Sequence, residues 1–426
     1  MLSEDLLQFV WQHRYWDHRY NTLTNGADFE VIDTGAPNYD SGPDFFNAKI
    51  KVGNTVWAGN VEIHTSSSQW FRHNHHLDKA YDNVVLHVVY KHDREVTTGN
   101  GMLLPVFEMK IPEYILGTYA FLLKQPDWPA CSAMISSAEN EMVRFWLNRC
   151  AVERLESKVG LMYQRFRQFN NDWEALWLSQ LGEAMGCKVN KEPFGLLMQR
   201  TPLKLLQKYS HDLFSLEALL FGQAGLLDDI EHDDYSVRLK TEYDFIKKKF
   251  GLQGLPGYLW KFARMRPGNF PTLRLAQFAA LVHKHPAMVT EMLEMKNYNH
   301  ISSFFSAEVS EYWHTHFRFG AHVKHSFRYL GSTAVDLILI NVVVPFLFFY
   351  GKYNDSEEHA ELALDWLSQT KAENNTFIRR WSELGIKPAN ALESQALLHL
   401  RENFCLRHRC PQCNLGNIFL TSGHKN

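Results

Sequence analysis

The stretch from Ser41 to His64 carries side chains whose types and spacing suit metal-dependent hydrolysis; it reads SGPDFFNAKIKVGNTVWAGNVEIH. Glu62 and His64 are two residues apart in an alternating segment, so they project from the same face of a strand. Asp44 lies at the start of the preceding strand, near the same end of the hairpin. Two carboxylates held close repel each other unless a cation lies between them. We therefore predict that Asp44 and Glu62 bind Mg²⁺ or Mn²⁺, which would activate a bound water.

His64 would act in this site as a base or as a further ligand, because a neutral imidazole can accept a proton or bind a metal. The alternative is an ordinary hairpin, in which Asp44 caps a turn and the other two residues lie on a solvated strand face.

More polar residues follow directly, in TSSSQWFRHNHHLDKAYDN. At least one of His73, His75 and His76 is expected to take part in the site, although histidine-rich loops are often merely exposed. Ser67, Trp70 and Arg72 could contact a phosphate or stack on a base. His87 lies within an apolar strand and is expected to be a core residue.

Alternating apolar residues predict the elements that position these groups. Strands are predicted where apolar residues alternate with polar ones: Phe46, Ala48, Ile50 and Val52 on one strand, and Trp57, Val61 and Ile63 on the next. Gly53-Asn54 is a two-residue hairpin signal between them. Before the hairpin we expect a helix capped by Ser3 and a short strand at 29–32. After it we expect a short polar helix at 76–83 and a buried strand at 84–90.

The rest of the chain favours helices, so the predicted fold class is α+β. We predict an α/β domain over residues 1–126, a larger helical domain over 127–400, and a cysteine-containing tail over 401–426 packed on the helical domain. The most apolar segment, VDLILINVVVPFLFFY from Val335 to Tyr350, is short for a bilayer and contains Asn341 and Pro345. It is expected to be a buried helix, and no membrane association is predicted. The N-terminus lacks the pattern of a signal peptide, so a cytoplasmic protein is expected.

The 426-residue chain has a formal net charge of −3, which excludes a global basic field that would attract nucleic acid. Binding to nucleic acid would need a local patch. The densest basic segment contains Lys261, Arg264 and Arg266, interleaved with aromatic residues, and could hold a nucleic-acid backbone. An ordinary exposed loop is the alternative.

Cys405, Cys410 and Cys413 form a C-x4-C-x2-C pattern near the C-terminus. These cysteines offer three soft ligands, and a structural Zn²⁺ site needs four. Cys131 is a distant candidate for the fourth ligand, and His408 is a local one. Three reduced thiols in a packed tail are the alternative.

Pro43-Asp44 and Glu62-Ile63-His64, with the order helix, three strands, helix and strand, resemble the PD-(D/E)XK nuclease superfamily. The resemblance implies a restriction-endonuclease-like core and a metal-dependent nuclease. It also implies that Asp78 and Tyr81 face the site and that Glu4 adds a carboxylate. His64 stands where that superfamily usually has lysine. Some CRISPR-associated and helicase-linked nucleases hold an iron–sulfur cluster with one upstream and three C-terminal cysteines, which makes such a cluster the second interpretation here.

Several phrases spread along the chain resemble the bacterial family called domain of unknown function twenty-eight fifty-one, which is common in Bacteroidetes. They are GPDFFNAKI, GNVEIHTSSSQW, ALLFGQAGLL, RMRPGNFPTLRLAQ and INVVVPFLFFYG, with the final cysteine pattern. This family resemblance implies no activity, so the functional prediction rests on the candidate site. That site favours a nuclease acting on DNA or RNA. The alternatives are a non-catalytic nucleic-acid-binding or structural protein, and a metal-dependent hydrolase of small molecules.

Overall fold

The structure is a computed structural model that describes residues 2–38, 40–125, 128–137, 140–228, 233–324 and 328–422. It is 57% helical and combines an N-terminal sheet with a mostly helical region, so the predicted α+β class is confirmed. The chain divides into two compact units. The first comprises residues 1–147, 380–386 and 397–426, and the second comprises residues 148–379 and 387–396.

Strands alternate with helices in the N-terminal part, and helices dominate the remainder of the chain. The N-terminal region contains α1 (Glu4–Gln12), β1 (Phe29–Asp33), β2 (Ala36–Pro37), β3 (Phe45–Val52), β4 (Thr55–Ser66), α2 (Gln69–Arg72), β5 (Val84–Lys91), β6 (Val106–Glu108) and α3 (Glu113–Lys124). The next part contains α4 (Asn140–Gln168), α5 (Trp173–Met185), α6 (Lys191–Arg200), α7 (Leu203–Tyr209), α8 (Leu213–Gln223), α9 (Asp234–Phe250), α10 (Pro271–Lys284), α11 (Met288–Glu294) and α12 (Ile301–Phe304). The last part contains β7 (His316–Arg318), β8 (Ala321–His322), α13 (Ser332–Ile338), α14 (Val344–Tyr353), α15 (Glu357–Gln369), α16 (Thr376–Glu383), α17 (Ala391–Leu400) and α18 (Asn414–Thr421).

One sheet organises the first unit, with the strand order β1-β3-β4-β5-β6 and with β2 paired to β3. β1, β3 and β4 are antiparallel neighbours, whereas β5 runs parallel to β4 and β6 runs parallel to β5. α1 packs on β4, and its residues Leu6 and Val10 share a buried core with Val61 and Ile63. The second half of β4 is therefore a central, buried strand, and it carries Glu62 and His64.

A β-bulge in β3 sets the direction of the residues that precede it. The pairing of Ala48 with Gly59 does not continue in register to Phe45, which pairs with Val61. Asn47 lies in the bulge with φ 57°, and its backbone N–H donates to Asn60 Oδ1 at 3.3 Å. Phe45 and Ala48 are therefore both buried although they are three positions apart. The buried face begins at Phe45 instead of the predicted Phe46, because strict alternation cannot anticipate the extra residue of a bulge.

Two local predictions are wrong. Trp57, predicted on the buried face of β4, is 48% exposed, because the first half of β4 extends past the core. The predicted helix at 76–83 is replaced by two short 3-10 turns, His75–Leu77 and Lys79–Tyr81. Asp78 separates these turns, since its side chain accepts a hydrogen bond from the backbone N–H of Ala80 at 2.9 Å and caps the second turn.

The C-terminal segment belongs to the first unit, whereas the sequence-based expectation packed residues 401–426 on the helical domain. Gln412 Nε2 donates to Asp5 Oδ1 on α1 at 2.8 Å. α18 contacts α3, and Leu420 is buried in the same core as Leu6. The end of the chain thus completes the core around the sheet.

The second unit is built from helices around a continuous apolar core. Its most apolar segment runs from Ser332 to Tyr353 and includes a π-helical turn at Leu339–Val343. In the part of the chain that the structure describes, this is the one helix long and apolar enough to cross a membrane, judged by length and composition alone. The most apolar 18-residue window of this segment has a mean hydropathy of 2.1, and 61% of that window is buried inside the protein. Phe346 and Leu347 are fully buried in the helical core.

Glu217 on α8 is a carboxyl group with no solvent exposure in this core. The hydroxyl of Tyr235 donates to Glu217 Oε2, and Ser310 Oγ donates to the same oxygen at 3.1 Å. Burial raises the pKa of Glu217 from 4.5 to about 7, although these hydrogen bonds partly oppose the rise. Between those two values the folded protein keeps a proton that the unfolded chain has lost. The contribution of Glu217 to stability therefore falls as the pH rises through this window.

We expect the free energy of unfolding of the second unit to drop by roughly 2 kcal/mol between pH 5 and pH 8 because of this group. Glu217→Gln keeps an oxygen that can accept from Tyr235, and it should remove this part of the pH dependence. Guanidinium denaturation at several pH values would measure the slope. The control is Glu192→Gln at an exposed position of α6, which should retain the wild-type slope. Equal slopes in wild type and Glu217→Gln would contradict the prediction.

Candidate metal site at the end of β4

Asp44 and Glu62 face each other where β3 and β4 meet. The backbone N–H of Asp44 donates to Glu62 Oε2 at 3.1 Å, and the backbone N–H of Ile63 donates to Asp44 Oδ2 at 2.9 Å. Gln8 Nε2, from α1, donates to Asp44 Oδ1 at 2.8 Å. Each carboxylate is therefore held by the backbone beside the other, which fixes their relative positions.

The electrostatic setting of these two groups is unfavourable without a cation. Burial raises the pKa of both carboxyl groups, and the charge of Glu62 adds to the rise at Asp44. The nearby carboxylate of Glu4 raises both further. A bound divalent ion would favour the ionised forms, since opposite charge stabilises a carboxylate.

Three histidines meet beside Glu62. His64 Nε2 lies 3.1 Å from His73 Nδ1 and 3.5 Å from Glu62 Oε1, and His75 Nε2 lies 3.2 Å from the same carboxylate oxygen. Among the described residues, His64, His73 and His75 are the one His/Cys/Asp/Glu group whose ligand atoms all lie within 4.8 Å of one another. His64 and His75 are buried and His73 is exposed, so the cluster opens to solvent at His73.

These separations fit the coordination sphere of Zn²⁺. Ligand atoms about 2.0–2.2 Å from Zn²⁺ at the corners of a tetrahedron lie about 3.3–3.6 Å apart, close to the observed values of 3.1, 3.2 and 3.5 Å. His75 Nε2 is buried and makes no hydrogen bond of normal geometry with any residue that the structure describes, although Glu62 is within ion-pair distance. The donor set is rich in nitrogen, which suits Zn²⁺ better than Mg²⁺, one of the two predicted ions alongside Mn²⁺.

Burial favours the neutral form of His64 and His75, which metal binding requires. Burial lowers the pKa of His64 to about 2 and also lowers the pKa of His75. His64 Nδ1 lies 2.8 Å from His87 Nε2 on β5. If His64 binds a metal through Nε2, its Nδ1–H donates to His87, which fixes the ring as outer partners of metal-bound histidines do.

His87 was expected to be only a core residue, and sequence reasoning missed its contact with His64. It is fully buried, and its Nδ1 has no hydrogen-bond partner among the described residues. The parallel pairing of β4 with β5 places Glu62 opposite His87. No local signal in the sequence could have revealed this, because the register between the two strands is decided by the fold.

Residues of α1 and α2 border the site as well. Gln69 Nε2 donates to Glu4 Oε1 at 3.2 Å, and Gln8 contacts Asp44 as described above. Glu4 and Gln8 are four positions apart and therefore share one face of α1. The carboxylate expected at Glu4 is thus near the site, whereas Gln8 and Gln69 were missed. The spacing of Glu4 and Gln8 on a capped helix was the signal that could have identified Gln8.

Tyr81 and Asp78 occupy different environments. The ring of Tyr81 stacks on His75 with a centroid distance of 3.8 Å, and burial raises its pKa to about 12, so it stays protonated. Asp78 is exposed and caps its own turn, although its charge opposes the lowering of the pKa of His75. Tyr81 therefore lies at the site and packs against His75, whereas Asp78 lies outside the ligand cluster. His76 is also outside it.

Of the three residues predicted to contact nucleic acid beside the site, two are buried and one is exposed. Trp70 is fully buried and its Nε1–H donates to the Thr97 carbonyl at 3.1 Å, so its ring has no free face for a base. Ser67 is fully buried, and its hydroxyl accepts hydrogen bonds from the backbone N–H groups of Asp93 and Arg94. Arg72 is exposed and is the one of the three that a phosphate could reach.

The basic segment lies in the second unit. Lys261, Arg264 and Arg266 are all exposed, and Arg264 has φ 59°. Arg266 lines a large cavity, which Lys261 and Arg264 do not. Of the three predicted contacts, Arg266 is therefore the one that faces this cavity.

The cysteines predicted to bind a second metal lie in the first unit. Burial raises the pKa of Cys131 to about 12, and the charges of Cys413 and Cys410 add to the rise, so these three thiols lie near one another. The backbone N–H groups of Gly416 and Leu415 donate to Cys413 Sγ. Cys405 ends the π-helical turn at Arg401–Cys405 and is partly exposed. Within the described residues the sulfur atoms do not form a group inside 4.8 Å, so Zn²⁺ or an iron–sulfur cluster here stays a prediction.

Comparison with known proteins gives one match. The model of a family described as a protein of unknown function (DUF2851) matches residues 4–376 of the chain. Searches of curated proteins and of solved structures each gave no match. The matched range contains all the residues of the candidate metal site and ends before Cys405.

Proposed function

The chain belongs to the DUF2851 family, whose description gives no activity, and we propose from its site that it is a metal-dependent nuclease. It would hydrolyse phosphodiester bonds of DNA or RNA with a variant of the PD-(D/E)XK site. The observation that carries the proposal is the meeting of Glu62, His64, His73 and His75 at the end of β4, directly beside Asp44.

The positions of these residues suggest a separate role for each in binding the metal, holding a ligand or facing the substrate. Glu62, His64 and His75 hold a Zn²⁺ or Mn²⁺ ion, which would lower the pKa of bound water from about 15.7 toward 7 and offset the charge of the attacked phosphate. Asp44 keeps Glu62 in place through the reciprocal hydrogen bonds. His73 stands at the exposed side of the cluster, where a substrate can approach.

The arrangement of the strands supports phosphodiester hydrolysis over other hydrolytic reactions. An antiparallel β1-β3-β4 meander, a parallel β5 and α1 packed on β4 follow the element order of the superfamily that the motif resembles. The proposal is also supported by the two acidic residues of the motif, which lie directly before β3 and in the second half of β4. His64 takes the usual place of lysine and bonds to His87 from within the sheet.

The second candidate function is a metal-dependent hydrolase of small molecules. The observation that favours it is the nitrogen-rich ligand set, because two imidazoles and one carboxylate around one Zn²⁺ also serve hydrolytic chemistry on other substrates. Such an enzyme would share the metal site and differ in substrate.

The test is a cleavage assay on single- and double-stranded DNA and on RNA, with Zn²⁺, Mn²⁺ or Mg²⁺ added to protein freed of metal. Asp44→Ala and Glu62→Ala are the site variants. Glu30→Ala, an exposed change on β1, is the control. We expect cleavage with Zn²⁺ or Mn²⁺ in wild type and control, and its loss in both site variants.

Cleavage that survives both site substitutions would overturn the site. Metal binding without cleavage of any nucleic acid would overturn the nuclease proposal, and a screen of phosphate and ester substrates with the same variants would then test the second candidate.

A further inference from the structure

A large cavity in the second unit is the strongest feature outside the metal site. Its volume is about 1270 Å³, which exceeds the usual range of pockets for small ligands, about 300–1,000 Å³. Its walls come from α4, α5, the segment 266–277 and the helical segment that starts at Ser332. It therefore has room for a ligand with more than one chemical part.

The charge of the cavity is strongly positive. Six cationic side chains line it, and one carboxylate does so among the residues that the structure describes; the cations are Lys158, Arg165, Lys188, Lys191, Arg266 and Arg274. The carboxylate is Glu183, and it is already paired with Arg165 at 2.8 Å and lies 3.8 Å from Lys191. Among the described lining residues the cations outnumber the carboxylate six to one, so the cavity favours an anion.

Arg274 is the decisive residue because it is a buried charge without a counterion among the described residues. Its exposure is 6%. Among the described residues its guanidinium donates to neutral amides alone, with Nη2 2.7 Å from Asn269 Oδ1 and Nη1 3.2 Å from Gln277 Oε1. Its Nε is buried with no partner in the described chain. A buried charge is costly unless it is paired, and the planar guanidinium fork matches phosphate.

Part of the cavity lining, which we call the apolar wall, consists of nonpolar side chains. Leu161 and Leu337 are 65% and 41% exposed there, beside Met162, Ile338 and Pro345. The wall includes part of the π-helical turn at Leu339–Val343, and Lys158 Nζ donates to the carbonyl of Ile340 within it at 3.4 Å. π-Helical turns are frequent at functional sites. A ligand with an apolar body would cover these exposed leucines.

We propose that this cavity binds an organic phosphate, with the phosphate on the Arg274 fork and the body on the apolar wall. Nucleoside phosphates fit this chemistry, either free or at the 5′ end of a nucleic-acid strand. The lysines at the rim, Lys188 and Lys191, attract the anion, and Arg274 fixes its position. The inference goes beyond the proposed nuclease and does not depend on the metal site.

The test is isothermal titration calorimetry of the full chain at about 150 mM salt, which screens exposed charges. The ligands are adenosine monophosphate, adenosine, pyrophosphate, and one oligonucleotide with either a 5′ phosphate or a 5′ hydroxyl. We expect the monophosphate to bind more tightly than adenosine or pyrophosphate. Tighter binding of the 5′-phosphorylated strand than of its 5′-hydroxyl form would identify the strand end as a source of the same group.

Arg274→Gln should weaken phosphate binding about 10–100-fold, because hydrogen bonds to charged groups have this range of effect. Lys188→Glu at the exposed rim should also weaken it, and this change keeps the test valid if the buried variant does not fold. Lys204→Glu, at an exposed cation on α7 outside the cavity, is the matched control. Glu62→Gln should leave the binding of adenosine monophosphate unchanged, which separates this result from the fate of the nuclease proposal.

Three results would overturn the inference. One is the absence of binding by all five ligands at millimolar concentration. Another is equal binding of pyrophosphate and the monophosphate, which would leave the apolar wall without a role. The third is unchanged affinity in both Arg274→Gln and Lys188→Glu.

Discussion

Glu62→Gln should lower Zn²⁺ affinity by more than about 100-fold, because removing even an outer partner of a metal ligand costs about 10–100-fold. The same change should raise the melting temperature of the metal-free protein. Glu62 is 5% exposed and faces Asp44, so a neutral amide relieves the repulsion between two buried carboxylates. The variant would then gain stability and lose the ion, the trade-off expected of a strained functional site.

Metal content and thermal unfolding measure the two effects in the same samples. Co²⁺ serves as the probe, since its absorption at nitrogen and oxygen ligands lacks the sulfur-to-metal charge-transfer band that a cysteine site would add. The signal of the β4 site can therefore be separated from any metal held by Cys410 and Cys413. Glu30→Gln on β1 should change neither quantity.

Two results would contradict the prediction. If Glu62→Gln keeps full affinity while His64→Ala loses it, the ion is held by histidines without the carboxylate. If both variants keep full affinity, the ion does not bind at the end of β4. A metal-free melting temperature that falls in Glu62→Gln would show that the carboxylate stabilises the fold in its own right.

The local parts of this site could be predicted from the sequence. Ser3 caps α1 and accepts a hydrogen bond from the backbone N–H of Leu6 at 3.3 Å, as its residue type indicates. Gly53 has φ 58° in the hairpin turn. The spacing of Glu62 and His64 was enough to place both on one face of β4. These features could be predicted because each depends only on residues that are close together in the sequence.

The rest depends on contacts between distant residues. The bulge at Asn47 changes which side chains of β3 face the core, and the alternation of apolar and polar residues along the strand does not predict this change. His87 meets His64 because two parallel strands adopt one register. His75 reaches Glu62 because α2 and a 3-10 turn fold back over β4. The sequence indicated a carboxylate pair for a hard ion, with His64 and at least one neighbouring histidine beside it. The fold identifies His73 and His75 as those neighbours, and the nitrogen-rich set favours Zn²⁺ over Mg²⁺.

The same distinction applies to Arg274. In the sequence Arg274 is one more cation close to the basic segment of Lys261, Arg264 and Arg266, and basic segments are usually solvated. The fold buries it on α10 beside Asn269 and Gln277, with no carboxylate in the described chain to pair with it. Burial, which no local pattern reveals, turns an ordinary charge into a candidate binding group.

Gly222→Ala should destabilise the second unit by more than about 4 kcal/mol, a size reserved for severe core clashes. A Cβ atom at this position of α8 would lie 2.0 to 2.3 Å from three ring carbons of Tyr243 on α9. Tyr243 cannot swing away, because it is 2% exposed and its hydroxyl accepts from Gln223 Nε2 at 3.0 Å. The two helices would have to separate. Guanidinium denaturation followed by circular dichroism would measure the loss.

Gly160→Ala is the matched control for this change. Gly160 lies on α4, is exposed, and has no heavy atom within 4 Å of the position that an alanine Cβ would take. Alanine should therefore stabilise that helix by about 0.5–1 kcal/mol. The cause of the Gly222 effect can be isolated with Tyr243→Ala, which removes the ring that the methyl group would strike. The double variant should lose less stability than the sum of the two single changes, because the clash no longer exists. Additive losses would show that the close approach of α8 and α9 does not require a residue without a Cβ at position 222.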